Sequence, residues 1–541
     1  MTLAERLARA EPRDPRPLGG LIARLLADGR LRGARDGGRA IGPAALEAVR
    51  VRGVTHDSRA VRPGVLFVAL PGQHVDGHDF AGGAVAAGAT ALIVERPLPD
   101  VAAPQLVVDR AQAVLAVAAA WWYGDPSHEL GVVGITGTDG KTTTSYLAVA
   151  ALESAGLRTG LVGTIATRIG GEQEDNEAHA TTPEAPALQA VLRAMADAGD
   201  RVAVVETTSH GLALERVGGI AYDMAIVTNL SHEHLELHGT WEAYRDAKLS
   251  LFERLAVGPT NPRKTEPSWP RTGIVNLDDP SAGAFVGCAQ EAGARVLTYG
   301  TDPAADVRAT RIEEDSRGLR FEYEAPSGAG RVALQLGGRF NVHNALAVVT
   351  LGEAIGLDPV NVRSGLESVP SVPGRMERIE AGQPFSVIVD YAHSPASLEA
   401  VLDLLAPLAA ARGGGLVAVF GSAGERDTAK RPLMGRIAGE RCRLVVVTDE
   451  DPRGEDREAI LDAIGRGAEA AGRRRGHDLL LIAERAEAIA AAFERARPGD
   501  VVLLAGKGHE HSIIGPDGPA PWDEAASARA ALAALGFGSD R

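Results

Sequence analysis

A glycine-rich turn that directly follows a short apolar run constrains this chain more than any other feature of its sequence. The apolar run GVVGI (131–135) leads into TGTDGKTT (136–143), and a helix-like stretch follows. In such a strand–turn–helix unit the glycines let backbone N–H groups face an anion, and the helix N-terminus adds its positive end. The unit predicts a phosphate-binding loop in which Lys141 reaches the outer phosphates and the Thr142 hydroxyl is offered to Mg²⁺.

This loop departs at one position from the strict pattern GxxxxGK[ST]. The pattern has glycine where Ile135 stands, and Gly134 lies one residue earlier. The alternative interpretation is an ordinary glycine-rich turn with a surface lysine. The succession of strand, GKT and helix favours the phosphate-binding loop.

Short apolar runs alternate with helix-like stretches along most of the chain, which is typical of α/β architecture. We predict three α/β domains, at 1–127, 128–369 and 370–541, of which residues 1–45 form a short helix and a loose lead-in without an assigned function. The predicted strands lie at 65–70, 90–95, 104–109, 201–206, 223–229, 272–276, 386–392, 415–421, 443–449 and 500–506, and a further strand directly precedes the glycine-rich loop.

Between these strands, the composition of several segments predicts their local structure. AGGAVAAGA (81–89) and NVHNALAVVTLGEAIGL (341–357) read as helices. The polar, proline-rich segment 258–273 predicts an inserted surface loop. Residues 296–337 alternate polar and apolar and predict antiparallel strands, and SVPSVPGR (368–375) predicts a hinge into the last domain.

Acidic residues outnumber basic ones in this chain of 541 residues, 71 against 56, which gives a formal net charge of −15. A general nucleic-acid binder needs a basic face, so no nucleic-acid partner is expected. Two cysteines, Cys288 and Cys442, are too few for a disulfide framework or a four-thiolate zinc site. Neither a signal peptide nor a long apolar run is visible, so we expect a cytoplasmic protein without a membrane span.

Two other clusters are candidates for chemistry near a nucleotide. Glu206 ends an apolar strand, where a metal ligand belongs in such a domain, and His210 follows four residues later. The alternatives are a surface carboxylate and a structural histidine. His232, His234 and His238 match no standard zinc spacing, and a lysine such as Lys248 on a helix is normally a solvated residue.

A family resemblance rests on motifs that occur in order over about residues 50–515. They are THDSRAVRPGVLFVALPGQHVDGHDF (55–80), GITGTDGKTTT (134–144), ETTSHGLALERV (206–217), TNLSHEHLELHGTWEAYRDAK (228–248), NLDDP (276–280), GRFNVHNALAV (338–348), VPGRMERI (372–379), VDYAHSPASLEAVL (389–402), FGSAGERDTAKRPLMG (420–435), TDEDPRGED (448–456) and AGKGHE (505–510). Together they resemble the Mur ligases, and among these the MurE type.

The resemblance implies a three-domain α/β architecture with a central P-loop ATPase domain and a Rossmann-like C-terminal domain. It implies an ATP- and Mg²⁺-dependent amide ligase that adds a diamino acid to UDP-MurNAc-L-Ala-D-Glu through an acyl phosphate, in peptidoglycan precursor synthesis. Phosphoryl transfer of this kind needs positioning and charge neutralisation more than a covalent nucleophile. Besides ATP and Mg²⁺, the expected binding partners are the UDP-MurNAc-dipeptide and the diamino acid. The protein is expected to be a monomer.

The resemblance also implies roles for individual residues. Lys141, Glu206, His210 and Lys248 take catalytic positions; with Thr142, the last three are metal-ligand positions, and Lys248 matches a lysine that is carbamylated in the family. Nucleotide-contacting positions are Gly137, Thr138, Asp139, Gly140, Lys141, Thr142, Thr143, Asn276, Asp279, Asn341, Arg375, Asp390 and Tyr391.

Substrate positions fall into three groups. The uridine nucleotide corresponds to Ser58, Arg59, Gln73, His74 and Val75; the muramoyl dipeptide to Thr181, Thr182, Thr208 and Arg216; and the diamino acid to Arg426, Glu450, Asp451, Pro452, Arg453, Gly506 and Glu510.

The sequence departs from the family pattern at several of these motifs. Asp139 stands where asparagine is usual, Leu214 where glutamine is expected, and Glu233 and Glu236 replace shorter acids. The DNPR motif that accompanies meso-diaminopimelate appears as EDPR (450–453). Its arginine favours a carboxylate-bearing amino acid, and its added acids favour lysine or ornithine, so the third substrate stays open with meso-diaminopimelate preferred.

Other hypotheses fit less of the sequence. A folylpolyglutamate-type ligase would not need the N-terminal motif 55–80, and an amidating relative is expected to carry a cysteine-rich zinc insert. A Mur-like ligase with another acceptor remains an alternative. A nucleotide-binding paralogue without turnover is disfavoured because Lys141, Thr142, Glu206, His210 and Lys248 are all retained.

Overall fold

The computed structural model describes residues 1–72, 75–176, 180–231, 238–256, 269–315 and 318–538. Its internal contacts divide the chain into two compact units, which are described separately. The first consists of Met1–Glu313, Arg320–Ala333 and Arg339–Ser368, and the second of Glu314–Leu319, Leu334–Gly338 and Val369–Arg541. Among the described residues no helix is both long enough and apolar enough to cross a membrane.

The first unit begins with a six-stranded sheet. Its strands, in spatial order, are Arg39–Ile41, Leu31–Asp36, Pro104–Val108, Ala91–Val94, Leu66–Val68 and Val54–Thr55. The last four pair in parallel, and the first two join them antiparallel. The associated helices are Gly19–Ala27, Ala81–Ala86 and Ala111–Tyr123, with 3₁₀ turns at Pro43–Leu46, Ser58–Ala60, Gly77–Phe80 and Pro126–His128.

The prediction of a loose lead-in over residues 1–45 was wrong. Helix Gly19–Ala27 buries Leu21, Ile22 and Leu25 in the core of this sheet, and the hairpin 31–41 extends it. The hairpin escaped detection because its side chains are mostly arginine and small residues, which lack the β-branched and aromatic signal of a strand.

A short connector joins this module to the next sheet and is held by side chains from the N-terminal segment. Gly124 and Asp125 adopt left-handed backbone angles in succession, with φ of 76° and 56°. Arg24 donates to both carboxylate oxygens of Asp125 at 2.6 and 2.5 Å, and Arg16 donates to the Trp121 carbonyl at 2.7 Å. These contacts stabilise the observed conformation of the connector.

The larger sheet of the first unit has eleven strands within the described residues. Their spatial order is Glu172–Asp175, Ala166–Ile169, Thr159–Val162, Val202–Glu206, Gly131–Thr136, Met224–Val227, Thr272–Asn276, Arg295–Gly300, Val307–Asp315, Gly318–Ala325 and Gly328–Leu334. Its helices are the N-terminal Leu3–Ala10, then Lys141–Ser154, Ala185–Ala198, Ser209–Ala213, Trp241–Glu253, Ala282–Glu291, Phe340–Ile355 and Pro359–Ser368, with a 3₁₀ turn at Arg254–Ala256.

The expectation of antiparallel strands over 296–337 was wrong for its first strand. Arg295–Gly300 pairs in parallel with Thr272–Asn276 on one side and with Val307–Asp315 on the other. Alternation along a strand reports which faces are buried and not the direction of its neighbours, so the sequence could not settle this point.

Gly131–Thr136 lies in the middle of this sheet, between Val202–Glu206 and Met224–Val227, and pairs in parallel with both. All of its residues are buried, because helices cover both faces of such a sheet. Since parallel strands end at the same edge, the glycine-rich loop after Thr136 and the carboxylate of Glu206 lie at one edge, where open α/β sheets bind ligands.

The second unit is built on a six-stranded sheet. Its order is Glu377–Ile379, Ser386–Asp390, Val501–Ala505, Leu416–Phe420, Leu444–Val447 and Leu479–Leu481. The first pair is antiparallel and the others are parallel. Its helices are Pro395–Ala411, Lys430–Arg441, Arg457–Ala470, Arg485–Glu494 and Glu524–Ala534, and Ser512–Gly515 pairs with Gly518–Pro521 in a hairpin.

Candidate functional site

The glycine-rich loop wraps closely around its own backbone. Gly137 has φ 144° and Gly140 has φ 82°, and a Cβ at Gly137 would overlap the Thr228 hydroxyl. Lys141 opens the following helix and donates to the carbonyls of Gly137 and Thr138 at 2.9 and 2.7 Å. Lys141 is thereby held over the loop that it is predicted to serve.

Residues after the neighbouring strand hold the loop in place. The hydroxyl of Thr228 and the amide of Asn229 donate to the Asp139 carbonyl, and the Asp139 N–H donates to the Asn229 side chain at 3.0 Å. The Asp139 carboxylate itself is exposed, which explains how this acidic departure from the family pattern is tolerated. Thr138 and Thr143 are buried.

Glu206 and Thr142, both predicted as metal ligands, are in direct contact. The Thr142 hydroxyl donates to Glu206 Oε2 at 2.9 Å, and Glu206 is fully buried. Thr164, which the sequence analysis missed, donates its N–H to Oε1 at 3.1 Å and its hydroxyl to Oε2 at 2.9 Å. A Cβ at Gly163 would lie 2.5 Å from Oε1, so the carboxylate fits only beside a glycine.

The residues predicted to bind the dipeptide gather next to this carboxylate. The Thr182 hydroxyl donates to the Glu206 carbonyl at 2.9 Å and lies 3.1 Å from the Thr208 hydroxyl. Arg216 donates to the Thr182 carbonyl at 3.0 Å and pairs with Glu184 at 2.7 Å. Thr181 joins the same network, since its hydroxyl lies 3.0 Å from that of Thr164.

Lys248 is 2% exposed and therefore not the solvated residue that its helix position would suggest. Its Nζ donates to the Gly137 carbonyl at 2.7 Å and lies 4.6 Å from the centre of the Tyr244 ring. The Tyr244 ring in turn meets His238 edge-on, and His238 meets His210 edge-on at 5.8 Å between ring centres. The structure thus connects His210 and Lys248 through two rings. His232, Glu233, His234 and Glu236 lie outside the described residues.

The asparagines and the aspartate assigned to the nucleotide have well-defined partners. Asn276 donates to the Thr228 carbonyl at 2.7 Å, and Asp279 accepts from the Leu230 N–H at 2.6 Å, so both fix the segment that supports the loop. Asn341 accepts from Asn344 at 2.8 Å. Asn344 also accepts from Thr144 at 3.2 Å, and the sequence analysis missed it.

In the N-terminal module, Ser58, Arg59 and Val75 line one cavity of about 290 Å³ together with His56, Asp57, Phe67, Leu70, Gly77 and Phe80. Arg59 pairs with Asp57 at 2.8 Å, and this contact lowers the pKa of Asp57 to about 2. Gln73 and His74 lie outside the described residues.

In the second unit, Asp451 and Glu510 share one buried cation. Lys507 is 1% exposed at its side chain and lies 2.8 Å from Asp451 and 2.6 Å from Glu510. Glu450 is also buried, and its Oε2 has no hydrogen-bond partner among the residues that the structure describes. Burial raises the pKa of Glu450, against the effect of nearby Lys430 and Lys507.

The remaining residues of this pocket differ in their surroundings. Oε2 of Glu450 faces Gly506, where a Cβ would lie 3.6 Å away. Arg453 has φ 56°, and its buried Nε has no hydrogen-bond partner in the described part of the chain. Pro452 is buried, and Arg426 lies exposed in the turn before helix Lys430–Arg441.

Tyr391 connects a predicted nucleotide position to the diamino-acid group. Its hydroxyl lies 3.3 Å from Glu510, and Arg375 stacks on its ring at 4.7 Å. Burial raises the pKa of Tyr391 well above its usual value. Asp390 accepts the N–H groups of Met376 and Ala392, both at 2.9 Å.

Three family models match the chain in the order of these groups. They describe a Mur ligase family catalytic domain at residues 50–123, a Mur ligase middle domain at 135–352, and a Mur ligase glutamate ligase domain at 374–508. The chain belongs to the Mur ligase family. This confirms the resemblance and the three-domain architecture expected from it.

Similar Mur ligases extend over nearly the whole chain. A UDP-N-acetylmuramyl-tripeptide synthetase from Roseiflexus sp. is 50% identical over 497 residues, covering 90% of this chain and 96% of its own. A UDP-N-acetylmuramoyl-L-alanyl-D-glutamate–2,6-diaminopimelate ligase from Bacillus velezensis is 42% identical over 460 residues, covering 85% and 90%. A solved structure of a ligase with the latter name is 31% identical, with a TM-score of 0.63 and coverage of 91% and 96%.

Proposed function

We propose that the protein is the ATP-dependent ligase that joins a diamino acid to UDP-MurNAc-L-Ala-D-Glu in peptidoglycan precursor synthesis. The observation that carries the proposal is the contact of Thr142 with Glu206 at the end of the phosphate loop, beside the hydroxyl cluster of Thr182 and Thr208. Phosphoryl donor and acceptor would meet across this carboxylate. The names of the similar ligases support the same substrates.

The loop residues fit the triphosphate of ATP. The backbone N–H groups at the start of helix Lys141–Ser154 and the Lys141 ammonium offer positive charge to the phosphates. Thr142 and Glu206 offer oxygen ligands 2.9 Å apart, which suit Mg²⁺. Mg²⁺ held there would neutralise charge on the transferring phosphoryl group.

Thr181, Thr182, Thr208 and Arg216 would orient the glutamyl carboxylate of the dipeptide. A carboxylate oxygen attacks the γ-phosphorus and ADP leaves, which gives an acyl phosphate. The amine of the diamino acid then attacks the carbonyl carbon, the C–O bond to phosphate breaks, and the amine gives up a proton. Holding these groups in line is an orientation task that fixed hydroxyls and a fixed guanidinium suit.

We propose that Lys248 acts as a metal ligand after carbamylation. Carbamylation of this buried amine, which lies beside the Gly137 carbonyl, would turn a cation into an anionic oxygen ligand. Together with His210 it would serve a second Mg²⁺. The rings of Tyr244 and His238 hold the two residues in one arrangement.

The pocket of the second unit supports a diamino acid as third substrate, with meso-diaminopimelate preferred. Asp451 pairs with Lys507, but Lys507 also pairs with Glu510, so the three side chains together keep a net charge of −1. Arg453 remains available for a carboxylate. The alternative, lysine or ornithine, is favoured by the unpartnered Oε2 of Glu450, which a substrate ammonium would satisfy.

The other modules complete the assignment. We assign residues 1–127 to the uridine nucleotide, 128–369 to ATP and 370–541 to the diamino acid, in a cytoplasmic monomer. The cavity beside Ser58 and Arg59 supports the first of these.

The test is phosphate release with ATP, Mg²⁺ and UDP-MurNAc-L-Ala-D-Glu, run in parallel with meso-diaminopimelate, L-lysine and L-ornithine. Turnover that requires both the nucleotide-linked dipeptide and one diamino acid is expected. Glu206→Gln should remove it, and Glu242→Gln, which changes an exposed carboxylate, should not. Silence with all three amino acids would overturn the proposed substrates.

A further inference from the structure

Arg485 is a fully buried arginine that no motif of the sequence analysis includes. It opens helix Arg485–Glu494, and its side chain has no exposed surface. Its counter-ion is Glu524, the first residue of the C-terminal helix Glu524–Ala534, which is equally buried. The two residues make two hydrogen bonds, of 2.8 and 2.6 Å.

The remaining donors of Arg485 reach two strand ends. Nη1 donates to the Asp449 carbonyl at 2.9 Å, and Nη2 donates to the Ala505 carbonyl at 2.8 Å. The next residues along the chain are Glu450 and Gly506, both of the proposed diamino-acid pocket. One rigid guanidinium therefore fixes the backbone immediately before each of them.

Electrostatic attraction also links Arg485 to the proposed diamino-acid pocket. Glu450 and Glu510 are close enough for Coulomb attraction to Arg485, in addition to that of Glu524. A guanidinium keeps its charge when buried and presents its donors in a fixed fork, which a lysine cannot reproduce. Trp522 donates to Glu524 at 2.7 Å and holds the counter-ion in turn.

We infer that the Arg485–Glu524 pair is the positioning device of the diamino-acid pocket, and that the C-terminal helix contributes to substrate binding through it. The inference rests on the proposed function only for the identity of the ligand. The role of Arg485 is to set the position of Glu450 and Gly506, and it need not touch the substrate.

A matched control lies at the opposite ends of the same strands. Arg443 pairs with Asp500, whose side chain is 1% exposed, and these residues precede the strands Leu444–Val447 and Val501–Ala505. A change at Arg443 thus disturbs a comparable ion pair on the same two strands, away from the pocket.

The first measurement is amide hydrogen exchange in the full-length chain, which needs no substrate. We expect Arg485→Lys and Glu524→Gln to accelerate exchange at least about tenfold in segments 448–453 and 505–510, since local opening follows local loss of contacts. Strand Leu416–Phe420 should keep its protection, and Arg443→Lys should leave both segments unchanged. Unchanged exchange in both segments for the two variants would overturn the inference.

The second measurement is steady-state phosphate release with the diamino acid varied. We expect KM for the diamino acid to rise about tenfold or more in both variants, with KM for ATP within about twofold of the wild-type value. A merely structural role would lower the active fraction and leave both KM values unchanged, which would contradict the inference. A wild-type enzyme that is silent would instead overturn the proposed substrates, while the exchange data still decide the role of Arg485.

Discussion

Lys507 offers the sharpest test of how the pocket charges are balanced. It is the buried cation that Asp451 and Glu510 share, at 2.8 and 2.6 Å. Lys507→Met keeps the length and apolar stem of the side chain and removes its charge. The largely buried carboxylates of Asp451 and Glu510 then lose their shared cation, although the Ile514 N–H still donates to Asp451.

Removing one partner of a buried ion pair costs about 3–5 kcal/mol. Because Asp451 and Glu510 keep 11% and 17% of their side-chain surface exposed, water offsets part of this cost. We expect a loss of about 3 kcal/mol in the free energy of unfolding of the second unit. Adding Asp451→Asn removes one orphaned charge, so the double variant should regain about 1–2 kcal/mol relative to additivity.

The assay is urea unfolding of the full chain, read by hydrogen exchange in the strand Val501–Ala505. The control is Arg475→Met, which also removes a cation from two carboxylates, Asp462 and Glu469, but at the surface. It should change stability by no more than about 1 kcal/mol. A Lys507→Met effect no larger than that of the control, or additive behaviour with Asp451→Asn, would refute the charge balance described here.

Three further predictions concern single residues. Burial raises the pKa of Glu450, so between the ordinary value and the raised one the folded state holds a proton that the unfolded state has lost, and stability falls as pH rises. Glu450→Gln should therefore flatten the pH dependence of the melting temperature at pH values above the ordinary carboxyl pKa; an unchanged slope would contradict this. Gly163→Ala places a Cβ 2.5 Å from Glu206 Oε1 and should lower kcat about a hundredfold, as small displacements in an active site do, with little change in melting temperature; full activity would show that the carboxylate tolerates displacement. Lys248→Ala should lose most activity in phosphate release and regain part of it with added short carboxylates, whereas full activity without them would exclude a role for a carbamate.

The sequence was sufficient for the strands and for the loop. The predicted strand segments contain the observed ones, which are up to three residues shorter, for example Val202–Glu206 within 201–206. Continuous apolar runs bounded by turns report buried parallel strands well. The placement of Glu206 at the carboxyl end of its strand was also predicted, and its contact with Thr142 was not.

Partners brought together by topology could not be predicted in the same way. Thr164 reaches Glu206 across 42 residues, and Asn344 reaches Thr144 across 200. Arg485 and Glu524 lie on helices whose sequences contain no motif that marks these residues. Only the packing of the two helices shows that both are buried. Local pattern carries no information about such pairs.

The connector at Gly124 and Asp125 has a consequence for which acceptor molecules the enzyme can use. Two left-handed residues and the hydrogen bonds of Arg24 and Arg16 support one conformation of this connector. Under the proposed function, this conformation sets the separation between the cavity at Ser58 and the hydroxyls of Thr182 and Thr208. The first unit would thus select acceptors by length. An acceptor whose reactive carboxylate lies one residue nearer to or farther from its nucleotide could not place both groups in their sites at once.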